Sequence, residues 1–502
     1  MSDLFFPITS AQLIEWVFSE LESSDSILGI PRQHFFVPRQ SDPFRTSAFG
    51  QPLETPFGPA AGPHSQMAQN IIAAWLCGAR YIELKTVQTL DELNVSKPCI
   101  DMEDEGYNVE WSQELKIYQS FDEYLRAWVL IHALHHKLGF SGGLPGIVFN
   151  LSVGYDLAGI QKPNVQWFLQ QMCDCSEYKR DMVEQVARFY PAIRNIEIPD
   201  RISNNVTLST MHGCPPDEIE KICAYLMEEQ GLHTYVKCNP TLLGPERVRT
   251  LLKDDLGYTD VVVPDIAFEH DLKYPDAVPM LRSLKSIALQ CGLHFGVKLS
   301  NTLEVENSRS VFNTVEKMSY LSGRPLHAIT VNLARQLSEE FDGDLPMSFS
   351  AGADCFNAAD LLAAGMQTIT VCSDLLKTGG YLRLLQYIDL VREAFTSAGA
   401  ADVREFAFAR AFAGVSPNGA TPHDTHANTR INLNLYAMQT RKQQRLQKSA
   451  FLTSRSKTQR KLGLFDCIEA PCIDRCAIDQ KVPQYMNAVR DGCLLYTSDA
   501  AD

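Results

Sequence analysis

Short apolar runs alternate with stretches of helical period from Leu53 to Ser373. Ten runs read as strands: LETPFGPA, YIELKT, PGIVFNLSVGYD, NVTLST, TYVKCNP, YTDVVVPD, HFGVKLSNT, HAITVN, LPMSFSAGA and TITVCSD. Between most of them the apolar positions recur at helical spacing, most clearly in GADCFNAADLLAAG. Such alternation means a parallel sheet with helical crossovers. Ten candidates exceed a plain doubly wound sheet and fit an α/β fold of the (β/α)8 TIM-barrel kind with one or two extras. A large open sheet is the alternative. Residues 8–24, 65–76 and 121–138 predict further helices, whereas 87–120 is polar and irregular, an insertion where a lid or docking surface would fit.

Polar residues collect where these strands end: Lys85, Asn150, Lys237, Asn239, Asn301 and Ser373. In a barrel those ends share one opening, the place for chemistry. The first strand opens into Pro56–Pro63, a turn of small residues around Gly62 where a flat or phosphorylated ligand can approach the backbone. Lys85 follows an apolar strand, and lysine is rarely buried without a partner. Two segments compete for the sixth strand, 261–265 and the run leading to Asn301. Cys214 lies in a Gly/Pro-rich loop beside His212, ahead of a helix whose N-terminus could lower a thiol pKa. It reads either as a proton donor or acceptor to substrate or as a buried structural thiol.

The chain has 502 residues, enough for a barrel and more, and its hydrophobic content of 45% with 21% charged residues is that of a soluble globular protein. A net charge of -15 argues against a general nucleic-acid binder. No apolar run reaches the length of a membrane span, and MSDLFFPITS does not read as a signal peptide, so a cytoplasmic location is expected. Fourteen cysteines in that setting are buried thiols, a nucleophile or cluster ligands rather than disulfides. Residues 441–461 hold eight Lys or Arg and no acid, a solvated helix face or linker, or a segment that docks on the barrel or an acidic partner. Cys467, Cys472 and Cys476 follow at C-x4-C-x3-C spacing, which suits thiolate ligation of iron better than zinc, with buried thiols as the alternative. Only Cys493 remains as a fourth ligand.

PFGPAAG…GARYIELKT resembles the first barrel unit of the dihydroorotate and dihydropyrimidine dehydrogenases, which are FMN-binding barrels. LSTMHGCPPDEIEKIC, VKCNP, the SNT string, SGRPL, SFSAGADCFNAADLLAAG and ITVCSDLLKTGG are similar to later units of that family. The cysteine run followed by VPQY resembles the helical iron-sulfur domain of dihydropyrimidine dehydrogenase and the glutamate synthase small subunit. The order of all these motifs resembles that of large bacterial flavoproteins of the selenate reductase type. In those the barrel leads into the iron-sulfur domain and then into nucleotide-binding domains.

The resemblance implies a dihydroorotate dehydrogenase-type barrel over 45–400, after an N-terminal helix and lead-in at 1–44. A linker with a basic helical segment (401–461), the beginning of a helical iron-sulfur domain (462–492) and a foreign tail (493–502) complete the expected organisation, and the barrel core is expected to end before 401. It also implies that Ala60, Ala61 and Gly62 lie under an FMN ring, with Lys85, Lys237, Asn150, Asn301 and Thr302 around it. Ala351, Gly352, Ala353, Cys372 and Ser373 would cradle the phosphate through backbone amides, as successive amides at a helix start do. Cys467, Cys472 and Cys476 would ligate a 4Fe-4S cluster in the full-length protein. Thr207 stands where the relatives have asparagine, Thr210-Met211 replaces their Cys-Pro pair, and Cys214 alone can stand in for their catalytic cysteine. The implied activity is electron transfer between a small-molecule substrate and iron-sulfur centres, with downstream FAD/NAD(P)-binding and ferredoxin-like domains or subunits as partners. The alternatives are a dihydropyrimidine or dihydroorotate dehydrogenase-like enzyme, a non-redox barrel using Lys85 or Lys237 as a Schiff-base nucleophile, and a non-catalytic scaffold subunit.

Overall fold

The computed structural model describes residues 7–450 apart from 88, 91–98, 104–106, 109–114, 210–213, 309–316, 415 and 417–418. Eight short strands form its centre: β1 (Phe57–Pro59), β2 (Tyr81–Glu83), β3 (Val148–Val153), β4 (Asn205–Ser209), β5 (His233–Cys238), β6 (Phe295–Leu299), β7 (Met347–Phe349) and β8 (Met366–Val371). Every ladder in this sheet is parallel. The hydrogen-bonded order is β1-β8-β7-β6-β5-β4-β3-β2. Its two ends meet where the Arg80 amide donates to the Phe57 carbonyl at 2.7 Å, so the sheet is a nearly closed (β/α)8 barrel.

The two surplus strand candidates are not strands. HAITVN lies inside a helix, Arg324–Glu340, whose residues Pro325 to Ala334 are all buried. A helix buried all round shows no polar face, and a short β-branched window of it is indistinguishable from a buried strand. YTDVVVPD is an irregular segment whose Val262 carbonyl accepts from the Glu306 amide at 2.9 Å. The sixth strand is therefore β6, which delivers Asn301 to the barrel mouth.

Six helices matter below: α1 (Ser10–Ser24), α2 (Ala68–Leu76), α3 (Ile117–Lys137), α4 (Pro216–Glu228), α5 (Arg324–Glu340) and α6 (Thr425–Thr440). Thr9 and Gln12 cap α1 reciprocally, and its Leu13, Ile14, Val17, Phe18 and Leu21 face the core. A hairpin of Thr46–Ala48 and Gln51–Leu53 plugs the barrel base, its Phe49 ring 4.8 Å from that of Tyr235. Beside it the fully buried Arg80 pairs with Glu54 at 2.5 Å. At the opposite end, Ile100–Asp101 and Tyr107–Asn108 join Leu303–Glu306 and Met318–Leu321 in a four-stranded sheet. The polar insertion after β2 and the segment after β6 thus build one cap.

The core does not stop at 400. Phe406, Leu433, Tyr436, Ala437 and Leu446 belong to the same buried cluster as the barrel helices. The basic segment, where described, is not a solvated linker: Arg441 pairs with Asp255 at 2.7 Å, Lys448 with Glu103 at 2.6 Å, and Arg445 with Asp354. Residues 451–461 lie outside the described residues.

Candidate functional site

Side chains at alternate positions of each strand enter the barrel, and above its apolar base the filling is polar. Asn150 donates to Asn205 Oδ1 at 2.8 Å and accepts from Thr207 Oγ1 at 2.8 Å. Thr207, the departure from the asparagine of the resembled families, is thus built into the wall through Asn150. On the other side Glu83 pairs with Lys298, and Thr370 Oγ1 donates to Glu83 at 3.1 Å. Sequence reading missed both Glu83 and Lys298. The available signal was a lysine inside FGVKL, a strand buried at all five positions.

The turn after β1 comes next. The Ala60 amide donates to the Val371 carbonyl at 2.9 Å, and the Ala61 amide donates to Glu83 Oε2 at 3.2 Å. Gly62 is extended, with φ −177°, so any residue fits its backbone. What it lacks is a side chain, and a Cβ there would stand 3.4 Å from Cys372 Sγ, against the end of β8. Lys85 follows β2 and is buried. Lys237, on β5, is in register with Lys298 on β6. Burial lowers the Lys237 ammonium, Glu83 opposes that shift and Lys85 adds to it. Asn301 joins the ends of β5 and β6, its side chain donating to Asn239 Oδ1 at 3.2 Å and its amide to the Cys238 carbonyl at 2.9 Å. Beside it Thr302 Oγ1 is buried with no hydrogen-bond partner among the described residues.

The Ala351–Ala353 turn after β7 is held by its carbonyls. His327 Nδ1 donates to Ala351 at 2.9 Å, Asn357 Nδ2 to Gly352 at 2.9 Å, and Tyr387 Oη to Ala353 at 3.0 Å. With three successive carbonyls engaged from the protein side, the turn has a fixed backbone of the kind that presents amides to an anion. Ala351 and Gly352 both have positive φ, 102° and 64°. A Cβ on Gly352 would lie 2.6 Å from the Gly323 carbonyl, the residue that precedes α5. Ser373 Oγ is 3.5 Å from Ser322 Oγ, and the Cys372 carbonyl bonds His64 Nε2 at 3.0 Å. The structure therefore brings together the turn of 351–353, the residues 322–323 at the start of α5, and Cys372–Ser373.

Cys214 is half-buried at the start of α4. Its thiol is not lowered as the helix N-terminus suggested. Burial pushes it up to about 11, and Glu218, Asp217 and Asp156 push the same way. Burial is the larger cause and the carboxylates add to it, so Cys214 is a protonated thiol at neutral pH. Its neighbour His212 lies outside the described residues, as do Cys467, Cys472 and Cys476. Among the described residues no group of three His, Cys, Asp or Glu could hold a metal ion, and no helix is long and apolar enough to cross a membrane.

A floor of small residues at 60–62, a buried Thr302 hydroxyl with no partner among the described residues and a turn at 351–353 braced through its carbonyls are features that suit a flat polar ring and an anion.

Residues 28–414 match a family described as the N-terminal TIM-barrel domain of the oxidoreductase YgfK. Proteins named as YgfK oxidoreductases in Escherichia coli K12 and O157:H7 are each 40% identical over 505 aligned positions. The alignment takes in 97% of this chain and 46% of theirs, so the chain spans about half the length of these relatives. Two solved DHODH structures from Eimeria tenella, one ligand-free and one with ferulenol, are 15% identical with TM-scores of 0.47. They cover 78% and 79% of this chain, and 96% and 93% of their own.

Proposed function

The chain belongs to the family of YgfK N-terminal TIM-barrel domains, and from that premise we propose that it is an FMN-dependent barrel passing electrons between a small-molecule substrate and iron-sulfur centres. The observation that carries the reading is the Ala351–Ala353 turn, whose carbonyls are tied to His327, Asn357 and Tyr387. Its partners at the mouth are Gly323, Cys372 and Ser373 for the phosphate. Ala60, Ala61 and Gly62 would take the ring, with Lys85, Lys237, Asn301 and Thr302 at its edges. Asn150 would act at one remove, through the wall it shares with Thr207.

When bound, the flavin supplies hydride and single-electron chemistry. This chain's part is placement and charge. Lys237 and Lys85 favour negative charge at the mouth, and the cap over β2 and β6 limits water there. Cys214, held as a thiol, can donate a proton to substrate. Cys467, Cys472 and Cys476 would hold a 4Fe-4S cluster in the full-length protein, which would exchange electrons with downstream FAD/NAD(P)-binding and ferredoxin-like domains in the cytoplasm.

Denaturing the anaerobically purified full-length protein and identifying the released cofactor tests this. FMN at about one per chain is the expected result, and FAD or no flavin overturns it. Oxidation of reduced viologen by selenate tests the finer assignment as a selenate reductase subunit. One observation favours a second reading, since the lowered Lys237 ammonium suits a Schiff-base nucleophile. Borohydride trapping of a carbonyl substrate on Lys237 would establish that chemistry instead.

A further inference from the structure

Below the Ala60–Gly62 turn lies an ion pair that the functional reading leaves unused. Glu83 and Lys298 meet across the barrel interior from β2 and β6, 4% and 1% exposed. One Glu83 oxygen accepts from Lys298 and from Thr370 Oγ1, and the other accepts from the Ala61 amide. Lys298 also donates to Ser348 Oγ at 3.3 Å and to Thr370 Oγ1. Every partner of the carboxylate can donate, so a group that only accepts satisfies them all, whereas a glutamine would turn its NH2 toward one of them. Stability alone does not explain the pair, because a buried ion pair is often no better than apolar packing of the same volume.

Its position explains it. Glu83 is the residue through which the barrel interior grips the backbone of the turn. Lys298 and Lys237 both feel this one carboxylate, which opposes the loss of charge that burial imposes on each of them. Burial lowers Lys298 to about 8 and Glu83 opposes the shift, so the charge of the ammonium depends on its carboxylate partner.

Resting on the flavin reading, we propose that Glu83 and Lys298 are positioning residues for that cofactor. Glu83 fixes the Ala61 amide, and the charge balance of the pair sets how strongly the reduced, anionic flavin is preferred over the oxidised one.

The test uses the full-length protein at pH 7, with FMN affinity and midpoint potential measured for the parent, Lys298→Gln, Glu83→Gln and the double variant. Lys298→Gln removes one positive charge while keeping a donor toward Glu83. It should lower the affinity ratio of reduced to oxidised flavin at least about tenfold, a fall of about 30 mV for a two-electron couple. Glu83→Gln also withdraws the support that keeps Lys298 charged, so its shift is read at pH 6, where it should move the ratio the other way, and the double variant, restored to the parental charge, should return to within about twofold of the parent. Opposite shifts are not what a loss of packing produces. Thermal melts identify a variant that has lost the barrel, and the other single variant then carries the sign test. Single variants at the parental potential, or shifted in the same sense, overturn the proposal. A parent that takes up no FMN overturns the functional reading and this inference with it, whereas a parent that binds FMN with unmoved variants overturns the inference alone.

Discussion

His327 and Tyr436 are hydrogen-bonded at 2.6 Å between α5 and α6, deep in the core. The other ring nitrogen of His327 bonds the Ala351 carbonyl at 2.9 Å. A carbonyl only accepts, so Nδ1 carries the proton and Nε2 accepts from the tyrosine hydroxyl. One neutral imidazole thus ties a helix beyond residue 400 to the turn that frames the candidate phosphate site.

That neutrality makes stability pH-dependent. Burial lowers His327 to about 4, and His132 likewise to about 4. In the unfolded chain each imidazole takes up its proton near pH 6.5. Below that value the unfolded state binds more protons, so stability present above pH 6.5 is lost as pH falls toward 4. The slope is up to about 1.4 kcal/mol per pH unit for each histidine. Melting temperatures across this window should fall, and less steeply in His327→Gln. A His327→Gln slope equal to the parent's would remove His327 from the account.

Gly352 should tolerate no side chain. Its φ is 64° and a Cβ would meet the Gly323 carbonyl at 2.6 Å, so the turn and the start of α5 must move apart. Gly352→Val should weaken FMN binding at least about tenfold, beyond the roughly 1 kcal/mol that a positive φ costs a non-glycine residue. Flavin fluorescence titration measures the first and chemical denaturation the second. An affinity within about twofold of the parent would take Gly352 out of the site.

Arg80 and Glu54 should matter to the fold and not to the mouth. The pair is buried at the base, and Arg80 also donates to the Trp75 and Ala79 carbonyls at 2.7 and 2.9 Å. Arg80→Met leaves Glu54 buried and unpaired, which should cost about 3–5 kcal/mol. Adding Glu54→Gln should recover part of that loss, as read by denaturant unfolding.

Cys214→Ala should leave flavin binding intact and slow turnover at least about tenfold if the thiol donates a proton. Because the thiol is raised to about 11, alkylation by iodoacetamide should be slow at pH 7 and accelerate above pH 9. Rapid modification at neutral pH would show that burial and the carboxylates around it do not hold the thiol protonated.

Serine replacement of Cys467, Cys472 or Cys476 in the full-length protein should abolish one cluster signal in electron paramagnetic resonance. An unchanged signal and iron content would leave these cysteines as plain thiols.

Much of the architecture was legible because it is local. Strand and helix period, the glycine turn after β1 and the polar residues at strand ends are properties of neighbouring positions, and parallel strands in a barrel put those ends at one mouth. The sequence alone therefore determined an alternating parallel α/β fold and put Lys85, Lys237 and Asn301 at strand ends, whereas closure of the barrel and the choice of its sixth strand came from the tertiary structure. It could not decide that HAITVN is helical, because a helix buried on every side has no period to read. Nor could it pair Lys298 with Glu83, 215 residues earlier, or find Tyr387 under Ala353. It also misjudged the Cys214 thiol, because the helix dipole is local whereas burial and the Asp156 carboxylate arrive from elsewhere in the fold. Tertiary structure decided all of these, since a buried charge acquires its partners and its pKa only when distant strands close around it.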